Sequence, residues 1–322
     1  MRADLSGGEA PLVSVVMPVY NQERFVRAAV ESILGQTFGD FEFIIVDDGS
    51  TDRTAEILRD IDDRRLRIVA KKHEGFVHAL ERGVREATGR WIARMDSDDV
   101  SPPDRLRRQL DFLDAHPECV FVGSVYGVIT PRDRFAVPAE AFAWRYLDAK
   151  DFTLGTKGMA DPSVLFHRAL AIEVGLYDRD LNSEIPLWYK LLGRGRGAVL
   201  GQPLHFIRWR LGSLSRSLPE YYARVYRDVR ERYDPENARS ITLDTLAEDA
   251  ATLSAARRCV EYYLQANDPL SAVEVAAGVW WRSPGDIKAL KLLKHALLRG
   301  RPLRFWKHVE RSVKYLPDDT HH

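Results

Sequence analysis

Cysteine is nearly absent: Cys119 and Cys259 are the only two, far apart and in no metal-ligand spacing. That argues against a disulfide-stapled scaffold or a cysteine zinc site and favours a reducing compartment. Long apolar runs are missing as well. The best uncharged stretch, Cys119 to Pro131, is too short to cross a bilayer, which takes about 20 residues. Met1–Gly8 lacks the apolar core of a signal peptide. There is no excess of either charge, since 47 Lys and Arg balance 47 Asp and Glu. The whole chain therefore makes no electrostatic case for nucleic acid. No Gly-rich fingerprint follows the first apolar run, which counts against a dinucleotide-binding dehydrogenase. Together these absences predict a cytoplasmic protein whose only contact with a membrane would be peripheral.

What is present begins with alternation. Val13–Met17, Phe41–Val46, Leu66–Val69, Trp91–Met95 and Val120–Val122 read as short β-branched or aromatic strands. Between them, Phe25, Val26, Ala29, Val30, Ile33 and Leu34 recur at helical spacing, and so do later sets at 57–61, 76–84 and 106–113. Pro18 is expected to end the first strand. Alternation of this kind predicts an α/β fold with a mostly parallel central sheet, whose ligands bind beyond the carboxyl ends of the strands. A chain of 322 residues suits one large domain plus an appendage. Residues 1–11 read as a leader and 12–217 as the main domain, with halves at 12–127 and 128–217. Residues 218–322 read as a helical extension.

Both strong acidic clusters fall at strand ends. Asp47-Asp48-Gly49-Ser50 follows the second strand, and Asp96-Ser97-Asp98-Asp99 follows the fourth. A solvated turn capping the helix at Pro102 would need one such residue, and three carboxylates add repulsion. Crowded carboxylates suit a hard divalent cation, Mg²⁺ or Mn²⁺, bridging to substrate phosphates. A carboxylate at 47 or 48 can also accept from the imide N–H of a pyrimidine base, and Tyr20 offers a ring for stacking.

Three segments in order, Val15–Asn21, Ile45–Asp52 and Met95–Asp99, resemble the signature of the inverting glycosyltransferases with the GT-A fold, family 2 type. The resemblance covers about residues 12–215. It implies a uridine pocket at Pro18, Tyr20 and Asn21 with Asp47 or Asp48. It also implies metal and ribose or diphosphate contacts at Asp96, Ser97 and Asp98, with Asp98 the coordinating member. Ser183-Glu184 with Leu187-Trp188 resembles a Glu-Asp-x-x-Leu-Trp motif whose second acid is the catalytic base, here Glu184. Taken alone, Glu184 reads as an acid favouring a helix start. Arg208 and Arg210 resemble the motif that ends near the diphosphate.

The implied function is metal-dependent transfer from a nucleotide sugar, UDP-linked by the family pattern, to a hydroxyl of a glycan, lipid-linked or cell-surface polysaccharide acceptor. Four departures stand out: Ser183-Glu184 for Glu-Asp, Arg210 for His, Glu81 for Asn, and Asp161 for His. They keep open an inactive sugar-nucleotide sensor or scaffold. A sugar-1-phosphate nucleotidyltransferase would want a basic, Gly-rich loop where Pro18–Asn21 stands. Gly193–Gly197 reads as a loop whose arginines can meet diphosphate, and His73 and His78 as structural or pocket-lining. Residues 286–315 carry nine Lys or Arg against two acids, as expected of basic amphipathic helices that lie either on anionic lipid or on the protein itself.

Overall fold

The computed structural model describes residues 10–130, 134–136, 142–153, 158–208 and 287–299. It also describes positions 228–229, 231–233, 264, 270, 272–273 and 276–277. The chain divides into two units. The larger comprises Met1–Gly127, Pro138–Ile207 and Val225–Ala238. The smaller comprises Val128–Val137, Arg208–Arg224 and Arg239–His322.

In the larger unit, strands β1 (Val13–Val19), β2 (Phe41–Asp47), β3 (Leu66–Ala70) and β4 (Trp91–Arg94) are parallel, in the order β3-β2-β1-β4. Helices α1 (Val26–Leu34), α2 (Thr54–Arg59) and α3 (Phe76–Glu86) make the crossovers. Every residue of β1 is buried, as expected of a parallel strand covered on both faces. Helix α1 presents Val26, Ala29, Val30 and Ile33 to the core, one face of a 3.6-residue period. Burying Val26, Val30 and Ile33 contributes about 1.5–3 kcal/mol each. Helix α3 crosses β1 so closely that a Cβ on Gly83 would lie 2.3 Å from Val16 Cγ1.

Helix α4 (Arg105–Ala115) leads to β5 (Cys119–Ile129). Strand β8 (Leu165–His167) lies between β4 and β5, antiparallel to both, so β5 still runs in the direction of β4. Strands β9 (Arg196–Arg208) and β7 (Trp144–Leu147) complete the order, and β6 (Phe135–Ala136) pairs with the end of β5. Three short helices, α5 (Ala149–Thr153), α6 (Arg168–Glu173) and α7 (Ile185–Leu192), belong to this second half of the larger unit.

One expectation needs correcting. The first strand does not stop at Pro18 but runs through it to Val19. Val19 O accepts from Asp48 N on the β2 side, and Val16 O accepts from Met95 N on the β4 side. By alternation Pro18 N points towards β4, whose ladder has already ended at Arg94. The missing N–H therefore costs no sheet hydrogen bond. Gly193–Gly197, read as a loop, joins α7 to β9, whose first two residues are Arg196 and Gly197. Arg194 pairs with Glu173 at 2.9 Å, and Arg196 lies over the Tyr146 ring at 4.3 Å.

In the smaller unit a helix spans Ile287–Arg299. It buries Leu292 and Ala296 and exposes Lys288, Leu290, Lys291 and Lys294. The remainder of the basic 286–315 segment lies outside the described residues. Among the described residues no helix is long and apolar enough to cross a membrane.

Candidate active site

The carboxyl ends of β1, β2 and β4 lie side by side, so the turns that follow them share one sheet edge. The turns after β1 and β2 are stitched together. Asn21, at φ +51°, accepts from Thr51 N at 2.8 Å and donates its own N–H to Ser50 Oγ at 3.1 Å. Gln22 N reaches Thr54 Oγ1 at 2.7 Å, and Asp47 accepts from Ser50 N at 2.9 Å. Gly49 sits at φ +80°, and a Cβ there would lie 2.9 Å from His73 N. Only glycine fits that turn without strain.

Asp48 is buried and surrounded by donors from the segment after β3. Lys71 Nζ and Glu74 N meet Oδ1, while Gly75 N donates to Oδ2 at 2.8 Å and His73 Nδ1 lies 2.9 Å from it. Burial opposes ionisation here, but Lys71 and the two backbone amides outweigh it and hold the carboxyl below its ordinary value. The His73 ring also stacks on Tyr20, with centroids 4.1 Å apart. Tyr20 remains exposed at this sheet edge. His78 lies on α3, next to Val77, whose side chain enters the core.

The acidic turn brings Asp96, Asp98 and Asp99 together, with one oxygen from each within 4.8 Å of the others. Ser97, between them, is buried. Three converging carboxylates are a hard oxygen donor set and fit Mg²⁺ or Mn²⁺. Asp99 Oδ2 lies 2.7 Å from Nε2 of His205, a fully buried residue of β9. Burial and the nearby Arg105 hold His205 well below the ordinary histidine value. Among the described residues His205 Nδ1 has no hydrogen-bond partner.

Arg94 closes β4 just ahead of this turn and is itself buried. Its Nε and Nη2 each donate to a Glu184 oxygen at 2.8 Å, and its Nη1 faces Asp96. Glu184 occupies the position before α7, yet makes no cap with its side chain, which turns inward to Arg94. Glu184 thus stands at the start of α7, as the sequence reads, with its carboxylate engaged by Arg94. Burial pushes the Glu184 carboxyl up to about 7 against the opposing pull of Arg94. The orientation of α7 is set by Trp188, whose ring packs against Phe121 and Phe166 and whose Nε1 donates to Asp161 at 2.8 Å. Behind Arg94, the fully buried Arg105 donates to Arg94 O at 2.7 Å, to Ser101 Oγ at 2.9 Å and to Gln109 Oε1 at 3.2 Å.

The approach to α7 is held by ion pairs. Arg179 bonds Glu81 at 2.8 Å, and Glu81 also holds Arg85. Asp178 accepts from Lys190 at 2.9 Å and from the Tyr233 hydroxyl. Glu81, which replaces an amide in the resemblance, thus works as an anchor. Arg208 is buried in the smaller unit and donates to Thr130 O at 3.3 Å. Arg210 lies outside the described residues.

Sequence reading missed Lys71, Arg94, Arg105 and His205. Arg94 was the most visible, as the one charge in a four-residue buried strand directly before an acidic run.

A family model described as glycosyl transferase family 2 matches residues 14–175, just over half of the 322 residues. The chain belongs to glycosyl transferase family 2. Among relatives of this chain is a putative teichuronic acid biosynthesis glycosyltransferase, TuaG, of Bacillus subtilis, 31% identical over 192 residues. That match covers 58% of this chain and 73% of TuaG. An uncharacterized glycosyltransferase of Haemophilus influenzae is 33% identical over 126 residues, covering 38% of this chain and 39% of the relative. The chain thus matches well under half the length of the Haemophilus protein. Among solved structures, S. aureus TarS 1-349 in complex with UDP-GlcNAc superposes with a TM-score of 0.54 at 17% identity. The match covers 88% of this chain and 90% of that one. This is likeness of fold, and with the family match it makes the larger unit a GT-A domain.

Proposed function

We propose that this family 2 glycosyltransferase moves a sugar from a UDP-linked donor to a hydroxyl of a glycan, a lipid-linked glycan or a cell-surface polysaccharide, inverting the anomeric centre. One observation carries the reading: the Asp96–Asp99 turn and the buried Glu184 carboxylate meet the same guanidinium, that of Arg94. A cation-binding set and a base with its carboxyl near 7 therefore sit one side chain apart. That value suits general-base work near neutral pH. TarS is described as binding UDP-GlcNAc, and the exposed Tyr20 ring beside Asp47 and Asp48 supports a uridine pocket here. The description of TuaG as a putative teichuronic acid biosynthesis glycosyltransferase supports a polysaccharide acceptor.

Asp98, with Asp96, would hold Mg²⁺ or Mn²⁺, which when bound supplies positive charge against a diphosphate. The remaining chemistry belongs to the protein's own groups. Glu184 accepts the proton of the acceptor hydroxyl as that oxygen bonds to the anomeric carbon. The bond from the same carbon to the diphosphate oxygen breaks, and UDP leaves with the electron pair. A single displacement inverts the centre and needs no covalent sugar–enzyme intermediate.

The test is a panel of UDP-glucose, UDP-galactose and UDP-GlcNAc with Mn²⁺, read by thermal shift and by UDP release. At least one donor should stabilise the protein and release UDP, even slowly to water, and chelation should stop it. Stabilisation without turnover across added glycan acceptors would favour a sensor. No response to any donor would overturn the reading.

A further inference from the structure

Arg94 makes three contacts that only a guanidinium can make together. Its Nε and Nη2 form a parallel pair of bonds to the two Glu184 oxygens, and its Nη1, which makes no hydrogen bond among the described residues, forms an ion pair with Asp96. It has almost no freedom to do otherwise. It is 3% exposed, its backbone N–H is fixed to Val164 O at 2.9 Å, and its carbonyl is held by Arg105. Glu184 is equally enclosed, at 5% exposure, and its side chain makes no cap with the start of α7. Among the described residues, Arg94 is the cation that meets Glu184, Asp161 and Asp96 both oppose its ionisation, and the Tyr177 hydroxyl has no hydrogen-bond partner. The direction of the Glu184 carboxylate is therefore set by Arg94.

We propose that Arg94 is the positioning residue of the transfer step, holding the Glu184 carboxylate in its working orientation and fastening it to the donor side through Asp96. The proposal rests on the functional reading above, in which Glu184 is the base. Paired planar bonds fix direction as well as distance, and a lysine, as a point charge, cannot reproduce them. A lysine at 94 can still meet Asp96, which uses one nitrogen only. Arg94→Lys should thus spare the donor side and release the base. It also explains the longer acid of this chain: Glu184 makes a contact that a shorter carboxylate at that position would reach less well.

The experiment compares wild type with R94K, E184D and the double variant, using UDP release from the best donor of the panel with Mn²⁺. R94K should lower kcat by about 10–100-fold, within the range of general-base effects, while donor KM moves by no more than about threefold. E184D should also lose at least about tenfold in kcat, since its carboxylate withdraws from the fork. In the double variant the losses should not multiply, because both act on the same carboxylate. Wild-type kcat in R94K, or losses that multiply in the double variant, would overturn the proposal. If R94K does not fold, E184D decides alone, and wild-type kcat in that variant overturns it. The two readings fail differently. A wild type that releases no UDP, or an E184Q variant with full turnover, removes the functional reading itself. A dead E184Q beside a fully active R94K removes only the role given to Arg94.

Discussion

Replacing Glu184 by Gln separates chemistry from binding more cleanly than any other single change. Arg94 grips both carboxylate oxygens at 2.8 Å. A glutamine offers one acceptor oxygen and turns an NH₂ towards a guanidinium N–H, so donor meets donor. A hydrogen bond to a charged group is worth about 1.5–3 kcal/mol. Orphaning a buried charge outright costs about 3–5 kcal/mol, but Arg94 keeps Asp96 as a counter-charge. The loss in stability should therefore be about 2–3 kcal/mol, a drop in Tm of about 4–12 °C for a domain of this size. Removal of a general base costs about 10²–10⁴-fold in rate. The expected variant is folded at 20 °C, binds UDP with Mn²⁺ much as the wild type does, and releases UDP at least about a hundredfold more slowly. Calorimetry, a melt and a UDP-release assay read the three quantities on one preparation. Full turnover in E184Q would refute the base assignment.

Several further outcomes follow from the same geometry. With burial raising the Glu184 carboxyl to about 7 against the pull of Arg94, and the ionised form acting as base, kcat/KM should rise with pH. Below about 7 it should fall roughly tenfold per unit, and a flat profile between about pH 5.5 and 8 would contradict the assignment. Trp188→Phe removes the 2.8 Å bond to Asp161 while keeping most of the ring. It should cost about 0.5–1.5 kcal/mol, or up to about 3 if Asp161 is charged, measured by denaturant titration. Gly197→Ala would set a Cβ 2.0 Å from Phe121 Cζ, and the overpacking should cost about 1–3 kcal/mol on the same titration. Gly49→Ala forces a side chain to φ +80° against His73 N. It should cost about 1–2 kcal/mol and weaken UDP binding measurably by calorimetry, because the turn after β2 must shift.

How much of this was legible depended on whether the signal was local. The β1, α1, β2 and β4 segments carry their period in a few consecutive residues, and the parallel order follows from alternation with helices. The Asp96–Asp99 cluster was readable because repulsion makes such crowding informative wherever it occurs. Pro18 misled because its effect depends on which neighbour its nitrogen faces, and that is set by where β4 ends. The antiparallel insertion of β8 between β4 and β5 has no local mark at all, since three residues from 165 to 167 carry no period. Arg94, Lys71 and His205 take their meaning from partners 90, 23 and 106 residues away. Glu184 could be aligned to a role from its offset to Leu187 and Trp188, but its grip on Arg94 could be seen only in three dimensions.

The most direct test of the account is a calorimetric titration of UDP into the wild type and into D98N, each with Mn²⁺ and with chelator. The acidic turn and the pocket around Asp48 should act as one site. Wild-type binding should then weaken by at least about tenfold on chelation, the change expected when 1.4 kcal/mol or more of binding energy is lost. D98N should bind weakly in both conditions. Equal UDP affinity in all four titrations would contradict it.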